Sequence, residues 1–217
     1  MGRNKLDRFA YNEEAPHVVQ EGKSNFESIA GNWGETIFHN NNPITLEIGC
    51  GHAEYTLGLA KKFSDKNFIG VDVKGARIFI GAKAAEQKGL TNAGFLRLRV
   101  HDLENHFVAG EVEEFWITFP DPRPRDRDIR RRLVNPRFLN HYRNISKAGS
   151  IVNLKTDNYD FYQYGLEVCE ELGLEVLAST DDLYQSEYLD LCHGIQTTYE
   201  QRYLAEGIKI NYLRFKL

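Results

Sequence analysis

Cysteine is scarce: Cys50, Cys169 and Cys192 are three in 217 residues, widely separated and without a C-x-x-C pair. That excludes a disulfide framework and a cysteine-rich zinc site, and it fits a reducing, cytoplasmic setting. No apolar run approaches the ~20 residues that span a bilayer. The opening Met1-Gly2-Arg3-Asn4-Lys5-Leu6-Asp7 has no apolar signal-peptide stretch, and Leu6 stands where a myristoylation motif wants Ser or Thr. A membrane partner is therefore not expected, and nothing calls for an obligate protein partner. An excess of one charge is lacking too. The 27 Lys+Arg face 31 Asp+Glu for a net charge of -4, which excludes a disordered polyelectrolyte and a generic basic coat for nucleic acid. The seven histidines have no ligand spacing, so no metal is expected. What is present is apolar material, 41% hydrophobic and 12% aromatic, enough at this length to bury about 70% of the unfolded surface.

Residues 1 to 43 are polar and interrupted by Gly22, Gly31, Gly34 and Asn40-Asn41-Asn42-Pro43. They read as a partly ordered N-terminal arm ahead of a single domain over 44 to 217. From Ile44 short apolar runs alternate with amphipathic stretches. Ile44 to Gly49 is followed by a helical segment from about Ala53 to Phe63, and Asn67 to Asp72 by Ala76 to Lys88 with Gly89 as a stop. Phe95 to Val100, Glu114 to Phe119 and Ile151 to Lys155 read as further strands, with helices around Arg137 to Ser146 and Tyr159 to Leu172. This alternation predicts a doubly wound, Rossmann-like α/β sheet, mostly parallel. Ile208 to Leu217 alternates apolar and polar residues after Gly207 and predicts an antiparallel C-terminal edge strand or a hairpin.

In such a sheet the first strand-to-helix turn is the place to look for a ligand. It reads Leu46-Glu47-Ile48-Gly49-Cys50-Gly51-His52-Ala53-Glu54. Gly49 and Gly51 let the backbone approach a ligand closely, but Glu54 stands where a dinucleotide fingerprint has its third glycine. Asp72, at the end of the second strand of this region, is placed to accept from ribose hydroxyls. NAD and S-adenosylmethionine share that ribose. NAD adds a pyrophosphate, whereas S-adenosylmethionine adds an ammonium and a sulfonium, which suit Glu47 better. The arrangement resembles the first two motifs of class I methyltransferases and implies S-adenosylmethionine as cofactor. The plainer alternatives are a solvated Glu47 and a capping role for Asp72. Asp102, after the third of these strands, reads equally as an acceptor for the adenine amine and as a helix cap.

The most distinctive segment runs from Phe115 to Arg132. An apolar strand ends in Phe119-Pro120-Asp121-Pro122, where two prolines restrict the backbone around one acid. The doubly wound order sets this loop beside the glycine turn, facing the expected sulfonium. Elsewhere three prolines within five residues would make only a rigid turn. From Asp121 through Arg137 there are seven arginines and three aspartates, four net positive charges in a chain whose total is -4. Arginine grips phosphate bidentately and stacks on bases, so the run implies an anionic polymer, with a solvated face as the alternative.

These elements, with Lys155-Thr156-Asp157 and Thr197-Thr198-Tyr199-Glu200, resemble bacterial tRNA (guanine-N7-)-methyltransferases over about residues 44 to 217. The resemblance implies methylation of a guanosine in the tRNA variable loop. It places Glu47, Gly49, Gly51, Asp72, Asp102 and Asp121 around S-adenosylmethionine, makes Asp121 the catalytic candidate, and assigns Arg125, Asp157, Thr197, Thr198, Tyr199 and Glu200 to the guanosine. Arg127, Arg130, Arg131 and Arg132 are then expected on the tRNA backbone. Where the family often has an aromatic after the second proline, this chain has Arg123. Asp157 also reads as a helix N-cap, and Thr197 to Glu200 as a capping box. Residue chemistry alone leaves open an adenine exocyclic-amine RNA methyltransferase and a non-catalytic RNA-binding module.

Overall fold

The computed structural model describes residues 2–217. In chain order its strands are β1 (Val18–Gln20), β2 (Ile44–Ile48), β3 (Asn67–Asp72), β4 (Ala93–Arg97), β5 (Val112–Thr118), β6 (Ser146–Thr156), β7 (Val176–Thr180) and β8 (Asn211–Lys216). The helices are α1 (Gly2–Glu14), α2 (Glu54–Lys62), α3 (Gly75–Gln87), α4 (Pro136–Ile145), α5 (Tyr159–Glu171) and α6 (Thr198–Ala205). All the strands join one sheet of order β1-β4-β3-β2-β5-β6-β8-β7. β1 to β6 pair in parallel, and β8 is antiparallel to β6 and β7. The winding reverses between β2 and β5, so the loops leaving them diverge and open a crevice at the strands' carboxyl ends.

The two-residue period of each strand divides its side chains between two cores. On one face Leu46, Ile48, Ile69, Val71, Phe115 and Val152 pack against Phe138 and Tyr142 of α4 and Phe161 of α5. On the other, Phe68, Phe95, Trp116 and Tyr212 pack against Tyr55 and Leu59 of α2 and Ile78 of α3. Glu47, Thr118 and Lys155 belong by the same alternation to this second face, so polar residues are carried inward beside α2. Both strand faces are covered, as a parallel sheet requires.

Three expectations need correction. The C-terminal strand is antiparallel, but it is not the edge, because β7 pairs along its outer side. β7 is short, and its Val176 and Leu177 are both exposed, so it has no alternation to find. The strand expected over Phe95 to Val100 starts earlier and ends at Arg97, since Val100–Asn105 turns into a 3-10 helix. The N-terminal segment is not an arm apart from the sheet. β1 pairs with β4, α1 lies on α3 with Asn12 Nδ2 donating to Gly75 O at 2.8 Å, and buried Trp33 donates from Nε1 to His106 O at 2.9 Å. Among the described residues no helix is long and apolar enough to cross a membrane.

Candidate active site

Past β2 the backbone turns through Gly49 (φ +73°), Gly51 (φ +56°) and Ala53 (φ +61°). The two glycines enter this left-handed region without a Cβ penalty. The turn is held to β3: Gly49 N and Cys50 N donate to Val71 O at 2.8 and 3.0 Å, and Gly51 N donates to Asp72 Oδ2 at 3.1 Å. Asp72 Oδ1 accepts from Lys74 N at 2.8 Å, and Arg77 Nη1 lies 3.5 Å from Oδ2. Gly49 and Asp72 line a cavity of about 820 Å³, together with Phe119, Pro120, Asp121 and Arg123 from the next loop. Strands far apart in sequence therefore bring Gly49, Asp72 and Asp121 to one concave surface, while Gly51 is not part of its lining.

Glu47 is not on that surface. Alternation along β2 turns it toward α2, where it is buried; Oε2 accepts from Thr56 N at 2.7 Å and Thr56 Oγ1 at 2.6 Å, and Oε1 accepts from Thr118 Oγ1 at 3.1 Å. Burial pushes its carboxyl up to about 7 against these three hydrogen bonds, which favour the ionised form. The acid that reads as a partner of the methionyl end ties the start of α2 to the end of β5 in this structure. Thr56 and Thr118 are missed by motif reading, although the period of two sets Thr118 on Glu47's side of the sheet.

The Pro-Asp-Pro loop is strained at both ends, since Phe119 (φ +48°) and Arg123 (φ +50°) are left-handed residues with side chains. Such conformations cost of order 1 kcal/mol or more and persist where the surroundings over-determine them. Phe119 N donates to Lys155 O at 2.8 Å, and its ring meets Tyr203 of α6 at 5.9 Å. Asp121 points outward: Oδ1 accepts from Arg123 N at 3.2 Å, and Oδ2 pairs with Arg123 Nε at 3.2 Å. Arg123, in the place of an aromatic, thus holds the catalytic candidate.

The arginine run folds around an acid. Asp126–Arg131 is a 3-10 helix in which buried Asp128 pairs with Arg125 Nε at 3.1 Å and Arg131 Nη1 at 3.2 Å. Arg127, Arg130, Arg131 and Arg137 line the cavity, giving it a cationic wall. Arg132 is committed elsewhere. Its guanidinium stacks 4.5 Å from the Tyr164 ring, and it donates to Arg123 O at 3.3 Å.

Asp157 does not cap α5; Asn158 does, accepting from Phe161 N at 2.8 Å. Half-burial pushes the Asp157 carboxyl up, opposed by a hydrogen bond from Tyr203. Of Thr197 to Glu200, three residues are occupied structurally. Thr197 and Glu200 form a complete capping box, and Thr198 donates from N and Oγ1 to Glu54. Glu200 is 0% exposed, with Oε1 at 2.6 Å from Lys155 Nζ and 2.8 Å from Tyr184 OH. In this structure Glu200 is committed to Lys155, Tyr184 and the capping box. Thr198 and Tyr199 (53% exposed) are the exposed two of the four, and Tyr199 takes no part in these ties. Asp102 lines a neighbouring cavity of about 630 Å³ that shares Val73, Leu98 and Arg99 with the first. Among the described residues no cluster of His, Cys, Asp or Glu is placed to hold a metal.

The first cavity has the size of a small-molecule site, and it fits the nucleoside part of S-adenosylmethionine. A Cβ at Gly49 would come within 3.5 Å of Leu133 Cδ1 and narrow it, and Asp72 is part of its lining. The methionyl ammonium finds no direct partner in Glu47.

The chain matches a family model described as a putative methyltransferase over residues 41–213. It is similar to KamB, a 16S rRNA methyltransferase of known structure, with a TM-score of 0.66 over 94% of this chain and 97% of that one. At 16% identity that likeness establishes the fold alone. Among proteins of known name, the tRNA (guanine-N(7)-)-methyltransferase of Cytophaga hutchinsonii is 47% identical over 100% of this chain and 98% of its own length. That of Christiangramia forsetii is 44% identical over 99% and 98%. That of the more distant Clostridium novyi is 35% identical over 87% of each chain. With identity of this order over the whole length, the chain belongs to the tRNA (guanine-N(7)-)-methyltransferase family.

Proposed function

We propose that this chain methylates N7 of a guanosine in the variable loop of tRNA, with S-adenosylmethionine as methyl donor. The observation that carries the reading is Asp121, presented by a strained loop on the rim of a cavity that also holds Gly49, Asp72 and a wall of arginines. S-adenosylmethionine, when bound, supplies an electrophilic methyl group. Guanine N7 has an in-plane lone pair and no proton, so no residue has to remove one before transfer. What remains for the protein is positioning and electrostatics.

Asp72 accepts from the ribose hydroxyls through the lone pairs it turns to the cavity. Asp121 exchanges its Arg123 partner for the imino and amino edge of guanine. The exchange costs little, because a solvent-facing ion pair is worth about 1 kcal/mol or less. Its charge then opposes the positive charge that develops on the alkylated imidazole ring. Leu133 and Phe138 form the apolar part of the lining and keep water from the transfer line. Arg127, Arg130 and Arg131 bind phosphate, and Arg125 is steered by Asp128. Asp157 and Tyr199 approach the guanosine from the α6 side.

The test is nucleoside analysis of unmodified tRNA incubated with the protein and S-adenosylmethionine. N7-methylguanosine is expected. A methylated adenine amine would assign exocyclic chemistry instead, and tRNA binding without any methylated nucleoside would leave a binding module.

A further inference from the structure

Glu54 begins α2 directly after the left-handed Ala53, at the end of the glycine turn, and it stands where a dinucleotide site would need glycine. Its carboxylate is half-buried and engaged by α6. Thr198 N donates to Oε1 at 3.1 Å and to Oε2 at 3.0 Å, and Thr198 Oγ1 donates to Oε1. The acceptor sits on the first turn of α6, so it satisfies an otherwise unpaired amide and meets the positive end of the helix dipole. The chain leading into α6 lies along the whole of α2. Lys62 Nζ donates to His193 O at 2.9 Å, Ile195 packs so closely on Gly58 that a Cβ there would be 2.9 Å from its Cγ2, and Tyr55 OH donates to Cys192 O at 3.4 Å. Glu54 is the polar clasp at the cavity end of this seam. From α6, Tyr203 reaches Phe119 and Asp157, and Tyr199 projects outward.

We infer that Glu54 is a positioning residue that fixes α6, and with it Tyr199, Tyr203 and Asp157, to the donor-binding turn. One carboxylate thereby links the two elements that carry the donor and acceptor sites. This rests on the assignment of α6 to the guanosine side in the proposed function. Glu54 itself touches neither substrate. Its loss unties Thr198 from α2 and leaves the start of α6 held by the capping box and the Lys155–Glu200 pair, while the glycine turn keeps its own bonds to Val71 and Asp72. Acceptor binding should suffer and donor binding should not.

The experiment is steady-state kinetics of full-length Glu54→Ala with tRNA varied at saturating S-adenosylmethionine. It is paired with calorimetric titration of S-adenosylhomocysteine and with thermal denaturation. Glu54→Ala is expected to raise the tRNA KM about tenfold with a smaller change in kcat and an unchanged S-adenosylhomocysteine Kd. Glu54→Gln keeps an acceptor oxygen for Thr198 and should recover part of the loss. Lys62→Ala cuts the same seam at its far end and should leave the tRNA KM at the wild-type value. A wild-type tRNA KM in Glu54→Ala would overturn the inference, and so would a weakened S-adenosylhomocysteine Kd with an unmoved tRNA KM. Equal KM losses in Lys62→Ala and Glu54→Ala would also overturn it, since they would mark general loosening. Wild-type protein that forms no N7-methylguanosine would instead remove the proposed function itself, and these outcomes are distinguishable.

Discussion

Glu47 accepts three hydrogen bonds and still has its carboxyl raised to about 7, because burial outweighs them. Across pH 4.5 to 7 the folded protein keeps a proton that the unfolded chain, near the ordinary 4.5, has released. The group therefore adds to stability below that window, and the contribution falls as pH rises through it. Glu47→Gln copies the protonated form: its carbonyl can accept from Thr56 and its amide can donate to Thr118. Urea denaturation of both proteins should show wild type losing stability relative to the variant between about pH 4.5 and 7, by up to about 3 kcal/mol, and no further above it. A pH-independent difference would contradict the assignment of Glu47 as a buried tie. The sequence shows an acid before a glycine turn, which reads as a ligand contact or, more plainly, as a solvated side chain; a buried tie to Thr56 and Thr118 is not visible there. Strand alternation points to the tie, and it becomes decisive only once the partner on β5 is known.

At the scale of elements, α6 is anchored by a fully buried ion pair, Lys155 with Glu200, supplemented by Tyr55 OH at 3.0 Å from Lys155 Nζ. Removing one partner leaves a buried charge alone, so Lys155→Met and Glu200→Gln should each cost about 3–5 kcal/mol of stability. The double variant should cost clearly less than the sum. Additive losses by chemical denaturation would show that the two side chains do not act as a pair. The capping box was legible as Thr-x-x-Glu, and the strands as apolar runs. The ion pair was not, because Lys155 and Glu200 lie on different elements that only the β6 register and the docking of α6 bring together. The seating of the N-terminal segment was illegible for a related reason. Its many polar residues suggest solvent, yet Ile29 and Trp33 are 0% exposed within it, and a few deeply buried side chains suffice to tie it down.

For the whole molecule, a net charge of -4 conceals a cationic wall on one side of the cavity. Its arginines are not equivalent. Replacing Arg127 and Arg130 with Ala should reduce the slope of log tRNA affinity against log salt by about 0.7–0.9 per lost phosphate contact. Arg132→Ala should leave that slope alone and lower thermal stability, since its guanidinium is spent on Tyr164 and the Arg123 carbonyl. An unaltered slope for the first pair would mean that tRNA docks on another face. The run was legible as a patch, but the division of labour within it depends on Asp128 and Tyr164, which composition does not reveal.

The central claim is that Asp121, held on the cavity rim by a strained loop, stabilises positive charge that is absent from the bound substrates and develops on guanine during methyl transfer. The direct measurement is the single-turnover methylation rate of Asp121→Asn under saturating tRNA and S-adenosylmethionine, where product release cannot mask the step. The variant keeps the shape of the side chain and removes its charge. A loss of ~3 kcal/mol of transition-state stabilisation predicts a rate about a hundredfold below wild type, with tRNA and donor binding little changed. A wild-type single-turnover rate would contradict the account and reduce the Pro-Asp-Pro loop to scaffold.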